Sequence, residues 1–185
     1  MGTDTITRHS APTRILHWLT AILVLVAFIY GPGGSEERVY SAAHDFDRQL
    51  HETLGLCVLA LVVARILWRA IDAPPRLPLV ARWLSSTASA VKAALYVLLF
   101  SVPLTAISGA WLEGHALTLL GGVEIAPALA EAHALGAKIA EIHTWLGDVI
   151  IWLAGAHAAG GLFHHYVLED GVLRSMLPSR KGNSQ

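Results

Sequence analysis

Four long apolar runs, at residues 15–30, 54–71, 88–112 and 142–168, divide this chain, and its charged residues cluster between them. A helix needs about 20 predominantly apolar residues to cross the hydrocarbon of a bilayer. The last two runs meet that length alone; the first two meet it with their polar flanks. Only 15% of the 185 residues are charged and 54% are apolar, a balance shifted away from that of soluble domains. Core helices of a soluble protein would need amphipathic helices to cover them, and the chain has almost none. Arg8 and Arg14 precede the first run as they would a signal peptide, but no small-residue cleavage site is clear at Tyr30-Gly31-Pro32-Gly33-Gly34. The expectation is an all-α transmembrane four-helix bundle, a single domain over residues 1–185.

Basic residues set the expected orientation. Arg8, Arg14, Arg65, Arg69, Arg76, Arg82, Lys92, Arg174, Arg180 and Lys181 flank one set of helix ends, against Arg38, Arg48 and Lys138 on the other. The positive-inside rule places both termini and the 73–87 connection in the cytoplasm. Pro74, Pro75 and Pro78 stop the second helix there. The outer connections, 31–50 and 113–141, are acidic, with Glu36, Glu37, Asp45, Asp47, Glu113, Glu124, Glu131 and Glu141. Apolar residues alternate with charges over 127–141, as in a helix lying on the membrane surface. A net charge of −1 offers no electrostatic ground for a nucleic-acid partner. The lone Cys57 cannot form an intramolecular disulfide.

Ten histidines carry the chemistry. His9, His44, His115 and His133 fall in tails or loops, where a solvated side chain needs no special role. His17, His51, His143, His157, His164 and His165 lie within or at the ends of spans, where ionisable groups are costly and mark function. Residues 14 apart on a helix are about 21 Å apart along the axis and about 40° apart in direction. His143 and His157 are so spaced. Given the alternating direction of the spans, depth pairs His51 with His143 on the outer side and His17 with His157 on the inner side. His164 shares the face of His157 and competes with it. It would separate the two levels by about 31 Å, too far for efficient electron passage, so His157 is preferred.

Two imidazoles per level suit the axial positions of a haem iron, whose other four ligands come from the macrocycle. Zinc would ask for four protein ligands. The macrocycle needs room, and Gly55, Gly147 and Gly161 follow His51, His143 and His157 by four residues, with Ala21 after His17. Such small residues share the histidine face, although helix–helix packing is a competing use for them. Arg65 and Arg69 also share the His51 face and suit haem propionates; snorkelling to lipid phosphates is the alternative. Without a Cys-x-x-Cys-His motif, attachment is non-covalent, as in b-type haem.

The strings Arg14-Ile15-Leu16-His17-Trp18, His51 with Gly55, Arg65 with Arg69, and Ile142-His143 followed by His157 resemble the bacterial cytochrome b-561 family, which includes superoxide oxidases. So does the run from His164-His165-Tyr166 to Asp170, Leu173, Arg174, Met176 and Pro178. The resemblance covers most of the chain. It implies two b-type haems with iron held by His17, His51, His143 and His157 in a bacterial inner membrane. Electrons would pass from superoxide, or another small redox donor, to ubiquinone. An acidic outer face sits poorly with an anionic donor, which keeps open a membrane subunit passing electrons between a partner redox protein and quinone. Haem storage without turnover is a third class. Asp148 could relay a proton to reduced quinone or make a structural hydrogen bond. Trp111, Trp145 and Trp152 could line a quinone pocket or simply anchor at the membrane interface.

Overall fold

The computed structural model describes residues 8–72 and 82–177. The expected stop at Pro74, Pro75 and Pro78, and the charges of Arg76, Arg180 and Lys181, lie outside the described residues, as does Pro178 at the end of the C-terminal string. Among the described residues, four helices are long and apolar enough to cross a membrane: α1 (Ala11–Ile29), α3 (Asp45–Ile71), α4 (Arg82–Leu112) and α5 (His133–Tyr166). Short helices α2 (Glu36–Val39) and α6 (Val172–Met176) and a two-stranded hairpin, β1 (Leu117–Leu119) with β2 (Val123–Ile125), lie in and after the connections. The chain is an all-α transmembrane bundle and an integral membrane protein. One end of the bundle carries the start of α1 and the end of α5; the other carries the hairpin.

The interior is thin. Val58 and Val62 of α3, Leu98 and Leu99 of α4 and Ile150 of α5 are buried together, with Leu23 and Val24 of α1 packed against them. Most other large apolar side chains point outward; Trp152 is 82% exposed and Ile71 is 76% exposed. Contiguous apolar exposure on this scale is stable only against lipid. The soluble-core alternative fails on that observation.

Helices α4 and α5 approach closely where both carry glycine. A Cβ on Gly109 would lie 3.2 Å from the Ala140 backbone nitrogen, and one on Gly136 would lie 2.8 Å from that of Glu113. This contact explains a departure from the sequence expectation. The 127–141 segment is not a separate surface helix, because α5 already begins at His133 and runs unbroken into the apolar stretch. No proline interrupts it, and Gly136 lets its first turns close on the end of α4.

Each end of the bundle is tied by polar contacts. At the terminal end, Ser10 caps α1 and Pro12 sits in its first turn. The Ser10 and Thr13 hydroxyls donate to Asp72 at 2.8 and 2.6 Å, joining the start of α1 to the end of α3. The hydroxyls of Thr13 and then Ser10 hold the Asp72 carboxyl below its ordinary range. Gly171, at φ 77°, turns the chain into α6. There Trp18 Nε1 donates to the Met176 carbonyl at 3.0 Å and Arg14 to that of Leu177 at 2.9 Å. At the opposite end, Glu52 accepts from the Thr118 amide and Thr53 Oγ1 from the Leu120 amide, which seats the hairpin on α3.

Candidate cofactor sites between the helices

At the hairpin end, His51 of α3 faces His143 of α5 with ring centroids 5.9 Å apart. Both rings are anchored at Nδ1. His51 Nδ1–H donates to the Ala27 carbonyl at 2.7 Å, and His143 Nδ1–H donates to the Val102 carbonyl at 2.9 Å. Ala27 lies in the last turn of α1, where carbonyls lack intrahelical donors. A carbonyl can only accept, so each bond places the proton on Nδ1 and leaves the Nε2 lone pair free. Such an outer partner orients histidine for metal binding.

At the terminal end, His17 of α1 faces His157 of α5 with centroids 6.3 Å apart. His164, its competitor, is engaged elsewhere: its Nδ1 bonds the Asp170 carboxylate, whose other oxygen accepts from the Val172 amide at 3.1 Å. The C-terminal string singled out in the sequence thus builds the turn into α6. Arg65 and Arg69 line one open cleft with Thr13, Leu16, Trp68 and Tyr96, with about 240 Å³ free of protein atoms counting its open mouth. The Arg65 guanidinium lies over the Tyr96 ring at 5.2 Å from its centroid.

Spacing at both levels, and space at the hairpin end, fit haem. Two metal–nitrogen bonds of about 2 Å, plus roughly 1 Å from each nitrogen to its ring centre, bring centroids to about 6 Å. Both pairs meet that value. Beside the His51–His143 pair is an apolar cavity with about 780 Å³ free of protein atoms, counting its open mouth. Gly55 and Gly147 line it, and a Cβ built on either would touch nothing within 4 Å. These two glycines therefore do not serve helix packing; Gly109 and Gly136 do. Near the other pair, a Cβ on Gly161 would meet only Leu173 Cδ1, at 3.9 Å.

Several expectations about the surroundings change. Arg48 is not a free cation: it pairs with Asp45 and with Glu52, the latter at 3.2 Å, and lies 5.3 Å from the Tyr40 ring centre. Arg38 donates to the Gly33 carbonyl and remains exposed, and Lys138 is exposed. Asp148, read from sequence as a buried carboxylate, is exposed on the outer surface of α5 together with Trp145 and Trp152. Positions 145, 148 and 152 share a helical stripe facing away from the histidines. Glu52 lines the hairpin-end cavity and was missed. Its place beside His51 in sequence was the available signal, though adjacent helical residues rarely share a face.

Comparison with known proteins places these features in context. The sequence profile of prokaryotic cytochrome b561 matches residues 8–179. Cytochrome b561 homolog 2 of Escherichia coli is 29% identical over 176 residues, 95% of this chain and 94% of that protein. Cytochrome b562 of Cereibacter sphaeroides is 31% identical over 183 residues, 94% of this chain and 99% of its own. The probable superoxide oxidase CybB of Yersinia pestis is 26% identical over 171 residues, 90% and 94% respectively.

Proposed function

Because the chain belongs to the prokaryotic cytochrome b561 family, whose members are haem b-binding membrane electron-transfer proteins, we propose that it is a dihaem cytochrome moving electrons from superoxide to ubiquinone. The observation that carries the reading is the pair of opposed imidazoles at each of two depths. His51 and His143 hold one haem, His17 and His157 the other, and Arg65 and Arg69 pair with propionates of the second. Each haem supplies a one-electron carrier. Two superoxide anions give up one electron each and leave as dioxygen; one ubiquinone takes both electrons with two protons.

The hairpin end faces the periplasm in this reading, and both termini face the cytoplasm of a bacterial inner membrane. Support comes from the described basic residues, since Arg8, Arg14, Arg65, Arg69, Lys92 and Arg174 all belong to the terminal end. A reporter fused after Gln185 that registered the periplasm would exchange the two sides.

Superoxide must reach His51 and His143 past an acidic surface, so local basic residues have to guide it. With Arg48 paired, Arg38 and Lys138 are left for that task. The double replacement Arg38→Gln with Lys138→Gln lowers the superoxide reaction rate by about threefold or more at low ionic strength and flattens its salt dependence. Haem content stays unchanged. A rate that instead rises with salt in the unaltered protein indicates net repulsion. That result favours the second reading, a membrane subunit whose acidic outer face receives a basic redox protein.

A further inference from the structure

The hairpin end carries a second constellation of ligand-type side chains, apart from both histidine pairs. Glu36 of α2 lies between two imidazoles, with Oε1 2.6 Å from His115 Nε2 and Oε2 3.3 Å from His133 Nε2. Glu113, just past the end of α4, closes the group: ligand atoms of Glu36, Glu113 and His115 all lie within 4.8 Å of one another. We propose that Glu36, Glu113, His115 and His133 form a binding site for a divalent metal of the zinc class, clasping the first connection to the start of α5. The site stands independently of the electron-transfer reading.

Donor type and spacing support the assignment. Ligand atoms about 2 Å from a tetrahedral zinc sit roughly 3.3 Å apart, so Glu36, Glu113 and His115, with ligand atoms within 4.8 Å of one another, close on an ion with side-chain shifts of the order of 1 Å. His133, 3.3 Å from Glu36, is the fourth donor beside them. Two imidazoles with two carboxylates suit zinc and its transition-metal neighbours; calcium and magnesium prefer oxygen alone. The scaffold is organised in advance. The Gly109–Gly136 approach holds the end of α4, with Glu113 just past it, against the first turn of α5, which begins at His133. The His115 ring is stacked on Tyr40 at a centroid distance of 3.6 Å, fixing its plane.

Charge points the same way. The Glu36 and Glu113 carboxylates have oxygens within 4.8 Å of each other. Two carboxylates held this close repel each other, and a dication between them relieves the repulsion. His115, Glu36 and His133 are open to solvent, with side chains 31%, 36% and 56% exposed, so an ion can enter without unfolding.

The test uses chelator-washed, haem-loaded protein in detergent, titrated with zinc in competition with a chromophoric chelator. Expected is saturable binding of one zinc per chain, undisturbed by excess magnesium. Glu36→Gln and His115→Ala each weaken it by about tenfold or more, since even losing a group that only supports a ligand costs that much. His44→Ala, a histidine outside the cluster, leaves affinity unchanged. An unaltered haem spectrum in each variant shows that the fold is retained. Absence of saturable zinc binding, or equal affinity in the unaltered protein and both ligand variants, overturns the proposal and leaves a hydrogen-bonded Glu–His cluster.

Discussion

Replacing His143 with alanine is expected to remove one of the two proposed haems, halving the haem-to-protein ratio, and replacing His51 to do the same. Each variant leaves an opposed imidazole without its partner across a 5.9 Å gap. The bond from Nδ1 to a backbone carbonyl then orients a single ligand, and one axial bond holds a non-covalent haem far less firmly than two. His157→Ala and His17→Ala remove the other haem on the same grounds. His164→Ala retains both, because its imidazole serves Asp170 and the turn into α6. Pyridine haemochrome absorbance against protein mass reads all five variants. A haem lost in His164→Ala but kept in His157→Ala contradicts the assignment.

The glycines divide into two kinds with opposite consequences. Gly147→Val, or Gly55→Val, places a branched side chain where a Cβ meets no protein atom within 4 Å. The bundle accepts it, but the added methyls occupy the space beside His51 and His143. Haem at that level is lost while helical content and membrane insertion persist. Gly136→Ala acts the other way. Its Cβ falls 2.8 Å from the Glu113 backbone nitrogen and 3.0 Å from the Gly109 carbonyl oxygen, backbone atoms that cannot swing aside. Helices α4 and α5 must separate, costing about 1–3 kcal/mol as other overpacked sites do. The thermal unfolding midpoint falls while haem binds to the folded fraction. Full haem content in Gly147→Val would return that glycine to a packing role.

The sequence made the bundle and the pairing of histidines legible for the same reason. Span length and alternating direction are set by the bilayer, and a 14-residue separation on one helix fixes two depths without side-chain detail. What stayed hidden is governed by contacts between segments. The first turns of α5, from His133 to Glu141, carry too many polar residues to belong to an apolar run, yet they continue the helix because nothing breaks it. Strands β1 and β2 have three residues each, below the length at which alternation can be recognised, and their anchors are Glu52 and Thr53 of α3. His115 and His133 read as solvated loop residues until Glu36 is seen between them. The neutralisation of Arg48 by Asp45 and Glu52 follows helical i, i+3 and i, i+4 spacing. It becomes recognisable once the helix is known to begin at Asp45.

Rapid mixing of superoxide with the purified oxidised protein, followed at the haem bands, tests whether superoxide is the electron donor. Superoxide is expected to reduce the haem, and an added ubiquinone analogue to reoxidise it, with two superoxide consumed per quinol formed. In His51→Ala and His143→Ala reduction slows sharply, because the carrier nearest the donor is gone. Haem that stays oxidised on mixing, while chemical reductants still reduce it, would contradict superoxide as the donor.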